Sequence, residues 1–241
     1  DQHHAGDQPG TARRAGAAPE AAQRSRQSAV NQRTPASPSA SGPLAVASSS
    51  PERFVKVVDD MVETRPIKGT APRSPDPKED AHRAAALVAS EKDWAENVMI
   101  VDLLRNDLSR VSKPGTVRVP VLCGLESYAN VHHLTSVVTS ELRDGKTMGD
   151  VIAATFPGGS ITGAPKIRAM EVIAELEVAP RGVYCGAIGY LGFNNHAELN
   201  IAIRTAQFSG GVARVQGGGG ITARSKPAAE YEESMTKVKR I

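Results

Sequence analysis

A chain of 241 residues that is 40% hydrophobic can bury a core, but with only 4% aromatics that core must be built from valine, isoleucine, leucine and alanine. A formal net charge of +3 is too weak a bias to argue for a nucleic-acid partner. Cys123 and Cys185 lie far apart without CxxC or Cys/His spacing, which suits a reduced cytoplasmic protein better than a disulfide scaffold or a zinc site. No run reaches the apolar length of a membrane span or forms the apolar segment of a signal peptide.

The chain opens on Asp1 rather than methionine, as a fragment of a longer protein would. Residues 1–49 contain no aromatic residue and no isoleucine. Such a segment cannot bury enough apolar area to offset the entropy of ordering, so it is expected to be disordered, with His3 and His4 solvated. From Ser50 the pattern turns globular. RFVKVVDDMVET (53–64) reads as a strand and a turn, and RPIKGT (65–70) follows it. Lys68 in that stretch reads locally as a solvated cation or as an amine held for chemistry.

Asp76-Pro77 has the form of a helix cap followed by proline at the first helical position, opening an alanine-rich helix to about Ser90. A second helix is expected from Glu91 to Leu108. TVRVPVL (116–122) and HHLTSVVTSEL (132–142) read as strands. Thr147 with Asp150 forms a capping box for a helix through Ala154. FPGGSITGAP (156–165) is a loop, and Lys166 to Leu176 a helix. GVYCGAIGYLGF (182–193), ELNIAIRTAQF (198–208) and GVARVQ (211–216) read as strands, and a last helix runs from about Ser225-Lys226-Pro227 to Ile241. Helices interspersed with hairpin-like strand runs predict an α+β fold with a largely antiparallel sheet.

Several segments carry possible chemistry. In GGSITGAPK, Gly158 and Gly163 have the Walker spacing, but Ala164 follows and Lys166 comes two positions late, so the nucleotide reading fails. A loop that opens a helix remains, either a plain connection or a place offering free backbone N–H groups to an anion. QGGGGIT (216–222), between a strand and a helix, reads as backbone that meets a ligand or another chain segment. Glu230 and Glu233 share a helix face, and Glu96 lies on the second helix. Three such carboxylates would suit Mg²⁺, but nothing in their spacing brings the helices together, and a solvated charged face is the better local account. His132 and His133 are adjacent on a strand and point to opposite faces, so at most one faces a given pocket. Arg204, in an apolar strand, needs an anionic partner or an exit to solvent, and the Tyr190 hydroxyl needs a polar destination.

Taken in order, SPERF, RPIKGT, AENVMIVDLLRNDLSRV, VHHLTSVV, FPGGSITGAPKIRAMEVI, GAIGYL, NIAIRT, GGGGIT and EYEES resemble the chorismate-utilising enzymes, from Ser50 to Ile241 almost without a gap. Those include anthranilate, isochorismate, salicylate and aminodeoxychorismate synthases. Lys68 is similar to the aminodeoxychorismate branch, where PIKGT occurs; anthranilate synthases usually read PIAGT. The resemblance implies the C-terminal part of a two-layer chorismate-binding α/β sandwich. It implies amination of chorismate to 4-amino-4-deoxychorismate for 4-aminobenzoate and folate, with ammonia from a glutamine amidotransferase partner. Residue by residue, it implies Glu230, Glu233 and Glu96 as Mg²⁺ ligands and Glu52 as the acid that protonates the departing C4 hydroxyl. Lys68 would be the nucleophile at C2 and His133 an active-site histidine. Arg204, Tyr190 and the backbone of Gly218, Gly219 and Gly220 would hold the side-chain carboxylate, with Thr162 and Gly163 near the ring.

Chorismate chemistry of this kind calls for these residue types. A hydroxyl leaves poorly unless protonated, and an amine attacks only when neutral. The resembling enzymes are longer, and their N-terminal half supplies strands to the same fold. SPERF is the first of their motifs present, so a truncated domain is expected from residue 50 to 241. Anthranilate synthesis and a non-catalytic fragment are the competing functions.

Overall fold

The computed structural model describes residues 44–241 except Arg224 and Arg240. The segment expected to be disordered lies outside the described residues as far as residue 43. Its expected end at residue 49 is corrected: Ala45–Ser48 is a strand, β1, antiparallel to residues 205–208. Its alternating alanine, valine and serine have too little apolar bulk to mark a strand, and pairing along a partner edge makes it one.

Two hairpin strands follow, β2 (Arg53–Val58) and β3 (Met61–Arg65), joined at Asp59 with φ +53°. After Pro66 comes β4 (Ile67–Pro72). Asp76 caps α1 (Pro77–Val88) by accepting from the Lys78 N–H, and Ser90 caps α2 (Glu91–Ser109) through Asp93. Then come β5 (Arg118–Ser127), β6 (Val131–Glu141) and α3 (Met148–Thr155), whose Thr147/Asp150 capping box is present in both directions. A short 3-10 turn at Gly159–Ile161 leads to α4 (Lys166–Leu176). The chain closes with β7 (Ala187–Leu191), β8 (His196–Ile201), β9 (Thr205–Ser209), β10 (Val212–Val215) and α5 (Pro227–Val238).

All strand pairings are antiparallel, in a sheet of β1, β9 and β10 and a seven-stranded sheet. β6 pairs with β5 and with both β3 and β4. Thr64 opposite Val138 and Ile67 opposite Thr135 keep one register, so β3 and β4 run as a single interrupted strand along β6. That register slips between Ile67 and Thr70, where Lys68 and Gly69 together face one residue of β6. This is a β-bulge, and Gly69 takes φ +85° within it. Phe54 marks a second bulge, since β2 changes register there against both β3 and β8.

The run ELNIAIRTAQF is not one strand. It breaks at Ala202–Arg204, with Arg204 at φ +49°, so that β8 stays in the large sheet and β9 joins the small one. Arg204 therefore sits in a sheet-switching corner rather than within a strand, because the chain must bend to pair with β1. The expected strand over residues 182–193 likewise shortens to β7, since Cys185 at φ +65° belongs to a turn.

The helix α2 lays Ile100, Val101, Leu104 and Leu108 on the sheet against Phe54, Val55, Val57 and Val62 of β2 and β3, with Leu199 and Ile201 of β8 completing the layer. Their spacing is the apolar stripe of a helix. At the centre is a buried polar chain. Asn97 Nδ2 donates to the Leu134 carbonyl at 3.2 Å, Ser136 Oγ donates to Asn97 Oδ1 at 2.5 Å, and the Cys123 N–H donates to Ser136 Oγ at 2.8 Å. Below the C-terminal end of α2, Lys166 Nζ pairs with Asp107 Oδ2 at 2.5 Å and donates to the Thr155 carbonyl at 2.7 Å, which holds the start of α4. Among the described residues no helix is long and apolar enough to cross a membrane.

Two stability predictions follow from this packing. Asn97→Leu strands the Ser136 hydroxyl and the Leu134 carbonyl, and should lower unfolding free energy by about 1–3 kcal/mol in urea titrations; an unchanged midpoint would show that the polar chain contributes nothing. A Cβ on Gly69 would stand 3.0 Å from Asp93 and from Leu87, at a φ that side chains rarely adopt. Gly69→Ala should therefore lose at least about 1–2 kcal/mol.

Candidate active site

The bulge delivers Lys68 toward the loop before α4. Lys68 Nζ donates to the Ser160 carbonyl at 3.1 Å. Ser160 also lines the cavity that holds Glu52, the residue just ahead of β2, so one loop residue stands beside both the lysine and the glutamate. Glu52 is only 7% exposed. It lines a narrow cavity with Phe54, Gly158, Gly159, Ser160 and Ile201. Burial pushes the Glu52 carboxyl above the ordinary carboxylate range; the Ser160 hydroxyl, the Lys68 charge and the Ile67 N–H pull the other way without reversing it.

His133 lies across from Thr70 in the register of β4 and β6, and its Nδ1 shares a 2.8 Å hydrogen bond with Thr70 Oγ1. Burial, and then the charge of Arg204, push the imidazole below its ordinary range, against the Gly69 backbone and Glu126. Arg204 makes no side-chain hydrogen bond or ion pair among the described residues, though it is half-buried. His132, on the opposite face, is absorbed by structure: its Nε2 lies 3.0 Å from Asp80 Oδ1 of α1 and its Nδ1 2.8 Å from Ser127 Oγ.

Glu96, Glu230 and Glu233 each approach the glycine turn at Gly219 and Gly220. A Cβ at Gly220 would lie 3.6 Å from Glu96 Oε2. One at Gly219 would lie 3.2 Å from Glu230 Oε2 and 3.9 Å from Glu233 Oε1. Burial raises the Glu96 carboxyl, and the Lys68 and Lys92 ammoniums oppose that shift, so the charge of Lys68 reaches this cluster as well as Glu52. Glu230, near the start of α5, is held below the ordinary range chiefly by a hydrogen bond from the Ser225 hydroxyl. Glu96 Oε1 and Glu230 Oε2 are buried without a hydrogen-bond partner. Orphaned carboxylate oxygens of this kind suit a hard cation, which takes oxygen ligands. Among the described residues no three acid, imidazole or thiol groups already close on a common point. Lys92 stands between Glu96 and Glu230, and Glu233 is turned to Lys237.

Other expected residues are placed differently. The Thr162 hydroxyl donates to the Gly158 carbonyl at 2.9 Å and so braces the loop itself. Gly163, at φ +143°, has Ala169 within 3.1 Å of a built Cβ, which explains its glycine by backbone conformation. Gly218 faces the Tyr184 hydroxyl. Tyr190 is 56% exposed on the edge strand β7 and makes no hydrogen bond to the cluster among the described residues. Sequence reasoning passed over Ser160, Thr70 and Lys92. Ser160 and Thr70 lay inside quoted motifs, but a hydroxyl in a loop or on a strand end carries no distinctive pattern. A larger apolar groove of about 590 Å³, lined by Trp94, Val98, Met99 and Leu103, contains none of these groups.

A family model described as chorismate binding enzyme matches residues 15–241. The chain is 51% identical over 197 residues to aminodeoxychorismate synthase component 1 of Escherichia coli (strain K12), covering 82% of this chain and 44% of that protein. It is 50% identical over 192 residues to anthranilate synthase component 1 of Streptomyces coelicolor (strain ATCC BAA-471 / A3(2) / M145), covering 80% and 38%. The crystal structure of anthranilate synthase component I from Streptococcus pneumoniae TIGR4 superposes with a TM-score of 0.74 at 42% identity, over 82% of this chain and 43% of that one. The chain thus spans less than half the length of these relatives. With a family model that spans nearly the whole chain and relatives about half identical to it, the chain belongs to the chorismate binding enzyme family.

Proposed function

We propose that this chain carries the catalytic centre that aminates chorismate at C4, giving 4-amino-4-deoxychorismate. The observation that carries this reading is the meeting of Lys68 and Glu52 at Ser160: Lys68 Nζ donates to the Ser160 carbonyl, and the buried Glu52, whose carboxyl burial pushes above the ordinary range, lines the same cavity as Ser160. Lys68 in its neutral form attacks C2 while the ring double bonds shift and the C4 oxygen leaves. Glu52 gives that oxygen its proton, so the leaving group is water. The proton released by the new C2 amine returns to Glu52. Glu52 then gives that proton to the C2 amine, ammonia adds at C4 as the double bonds shift back and Lys68 leaves C2 as the free amine, and the new C4 ammonium returns its extra proton to Glu52. Chorismate and ammonia thus yield aminodeoxychorismate and water.

Arg204, a half-buried cation with no anionic partner among the described residues, pairs with a substrate carboxylate, beside His133, whose imidazole is pushed below its ordinary range by burial and by Arg204. Glu96, Glu230 and Glu233 would hold Mg²⁺, which when bound offsets the charge of the ring carboxylate. The name component 1 of the E. coli relative supports a separate subunit as ammonia source, here a glutamine amidotransferase. Anthranilate synthesis is the second reading, favoured by the anthranilate synthases among the relatives. The lysine at position 68, where those enzymes usually have alanine, favours amination without loss of pyruvate.

Mass-spectrometric analysis of the chain with chorismate, Mg²⁺ and ammonium salt should detect aminodeoxychorismate, and Lys68→Ala should abolish it. Anthranilate with pyruvate would favour the second reading, and a folded chain without product would overturn the claim that this chain is sufficient.

The Glu52 carboxyl is raised in the folded chain above its unfolded value, so the folded state binds the extra proton. Stability must then fall as pH rises from the ordinary carboxylate range, about pH 4, through the raised folded value. Glu52→Gln should melt higher than wild type by a margin that grows across that window, while turnover falls roughly 10²–10⁴-fold. A margin independent of pH would falsify the buried-acid assignment.

A further inference from the structure

Each acid of the cluster faces a lysine of this chain. Lys92, one helical turn before Glu96 on α2, has Nζ 4.0 Å from Glu96 Oε1 and 3.4 Å from Glu230 Oε1. Lys237, one turn after Glu233 on α5, has Nζ 2.7 Å from Glu233 Oε1 and donates to the Gly218 carbonyl at 3.0 Å. The remaining carboxylate valence is not served: Glu230 is 7% exposed, yet its Oε2 has no hydrogen-bond partner, and neither has Glu96 Oε1.

The lysines of the fold differ in how firmly they are held. Lys166, 13% exposed, is pinned between Asp107 and the Thr155 carbonyl. Lys92 keeps half of its side chain in solvent, reaches Glu230 at the long end of the hydrogen-bond range, and meets Glu96 only as a 4.0 Å ion pair. A long, flexible, strongly hydrated ammonium of this sort swings out readily. A divalent ion between Glu96 and Glu230 would compete with it for the same oxygens, and the two positive charges would repel.

We infer that Lys92 is the displaceable counter-cation of the carboxylate cluster, holding Glu96 and Glu230 together in the metal-free chain and giving way to a divalent ion. Its charge then sets how tightly that ion binds. The inference rests on the reading of Glu96, Glu230 and Glu233 as the metal-holding acids.

The test is a Mn²⁺ titration of the full chain, with free Mn²⁺ read by electron paramagnetic resonance. Wild type is compared with Lys92→Met, Lys92→Arg and, as a control, Lys113→Met, whose lysine pairs with Glu141 beyond the far end of α2. Lys92→Met should bind Mn²⁺ roughly three- to tenfold more tightly, the range expected for removing a half-exposed charge, and the gain should shrink in high salt. Lys92→Arg and Lys113→Met should bind as wild type does. Without divalent ions Lys92→Met should melt below wild type, because two facing carboxylates lose their counter-charge, and saturating Mn²⁺ should close that gap. If Lys92→Met does not fold without metal, Lys92→Gln, refolded with and without Mn²⁺, reads the same competition. Equal or weaker Mn²⁺ binding in the neutral variants would overturn the inference and leave the metal site standing. Absence of saturable Mn²⁺ binding in every protein would overturn the metal site and the inference with it.

Discussion

One backbone irregularity supports the centre: the extra residue that β4 carries against β6. Ile67 and Thr70 keep their partners, and Lys68 and Gly69 share one residue between them. A bulge bends and twists its strand and re-aims the side chain it carries. Here it sends Lys68 to the Ser160 carbonyl while the next ladder position still delivers Thr70 to the His133 ring. Gly69 permits this, and the helices prevent any other residue there, since Leu87 of α1 and Asp93 of α2 stand where a Cβ would go. The bulge is therefore the point where the helical layer presses on the sheet.

The pocket alternates charge in space. Lys68 lies within electrostatic reach of Glu52 and Glu96, Lys92 between Glu96 and Glu230, and Lys237 against Glu233. Burial raises the carboxyls of Glu52 and Glu96 against the opposing pull of the lysines, and alternation lets several acids share one turn without a fixed ion. It also leaves no trace in bulk composition, because the signs cancel. A net charge of +3 over the whole chain gave no hint of a site this polar.

Much of the helical part was legible from local signals. The Asp76-Pro77 start and the Thr147/Asp150 box fall where capping puts them, and α4 spans the expected Lys166–Leu176. The strands were less legible. The stretch from Glu198 to Phe208 looks continuous because apolar residues recur through it, yet the chain leaves one sheet for another at Ala202–Arg204. Ala45–Ser48 looks like low complexity, yet pairs along β9. In both cases the deciding partner is remote in sequence: β1 recruits β9 from more than 150 positions away, as the Ser48–Thr205 hydroxyl contact shows. Tyr190 shows the converse, a residue singled out by its motif that the fold leaves on an exposed edge.

By itself the sequence determined the family, through ordered motifs, and with it the types of group present: a lysine in a strand, a glutamate before one, acids on two helices and a run of glycines. It also determined the local elements whose signals lie within one turn of chain. Only the tertiary structure decided which of those groups meet. Ser160 receives Lys68 from more than 90 positions away and lines one cavity with Glu52, and Glu96 of α2 and the acids of α5 meet at Gly219 and Gly220. Capping and periodicity act between neighbours in the chain. Burial, electrostatic reach and shared hydrogen bonds act between neighbours in space, and those arise only once the sheet has paired and α2 has packed upon it.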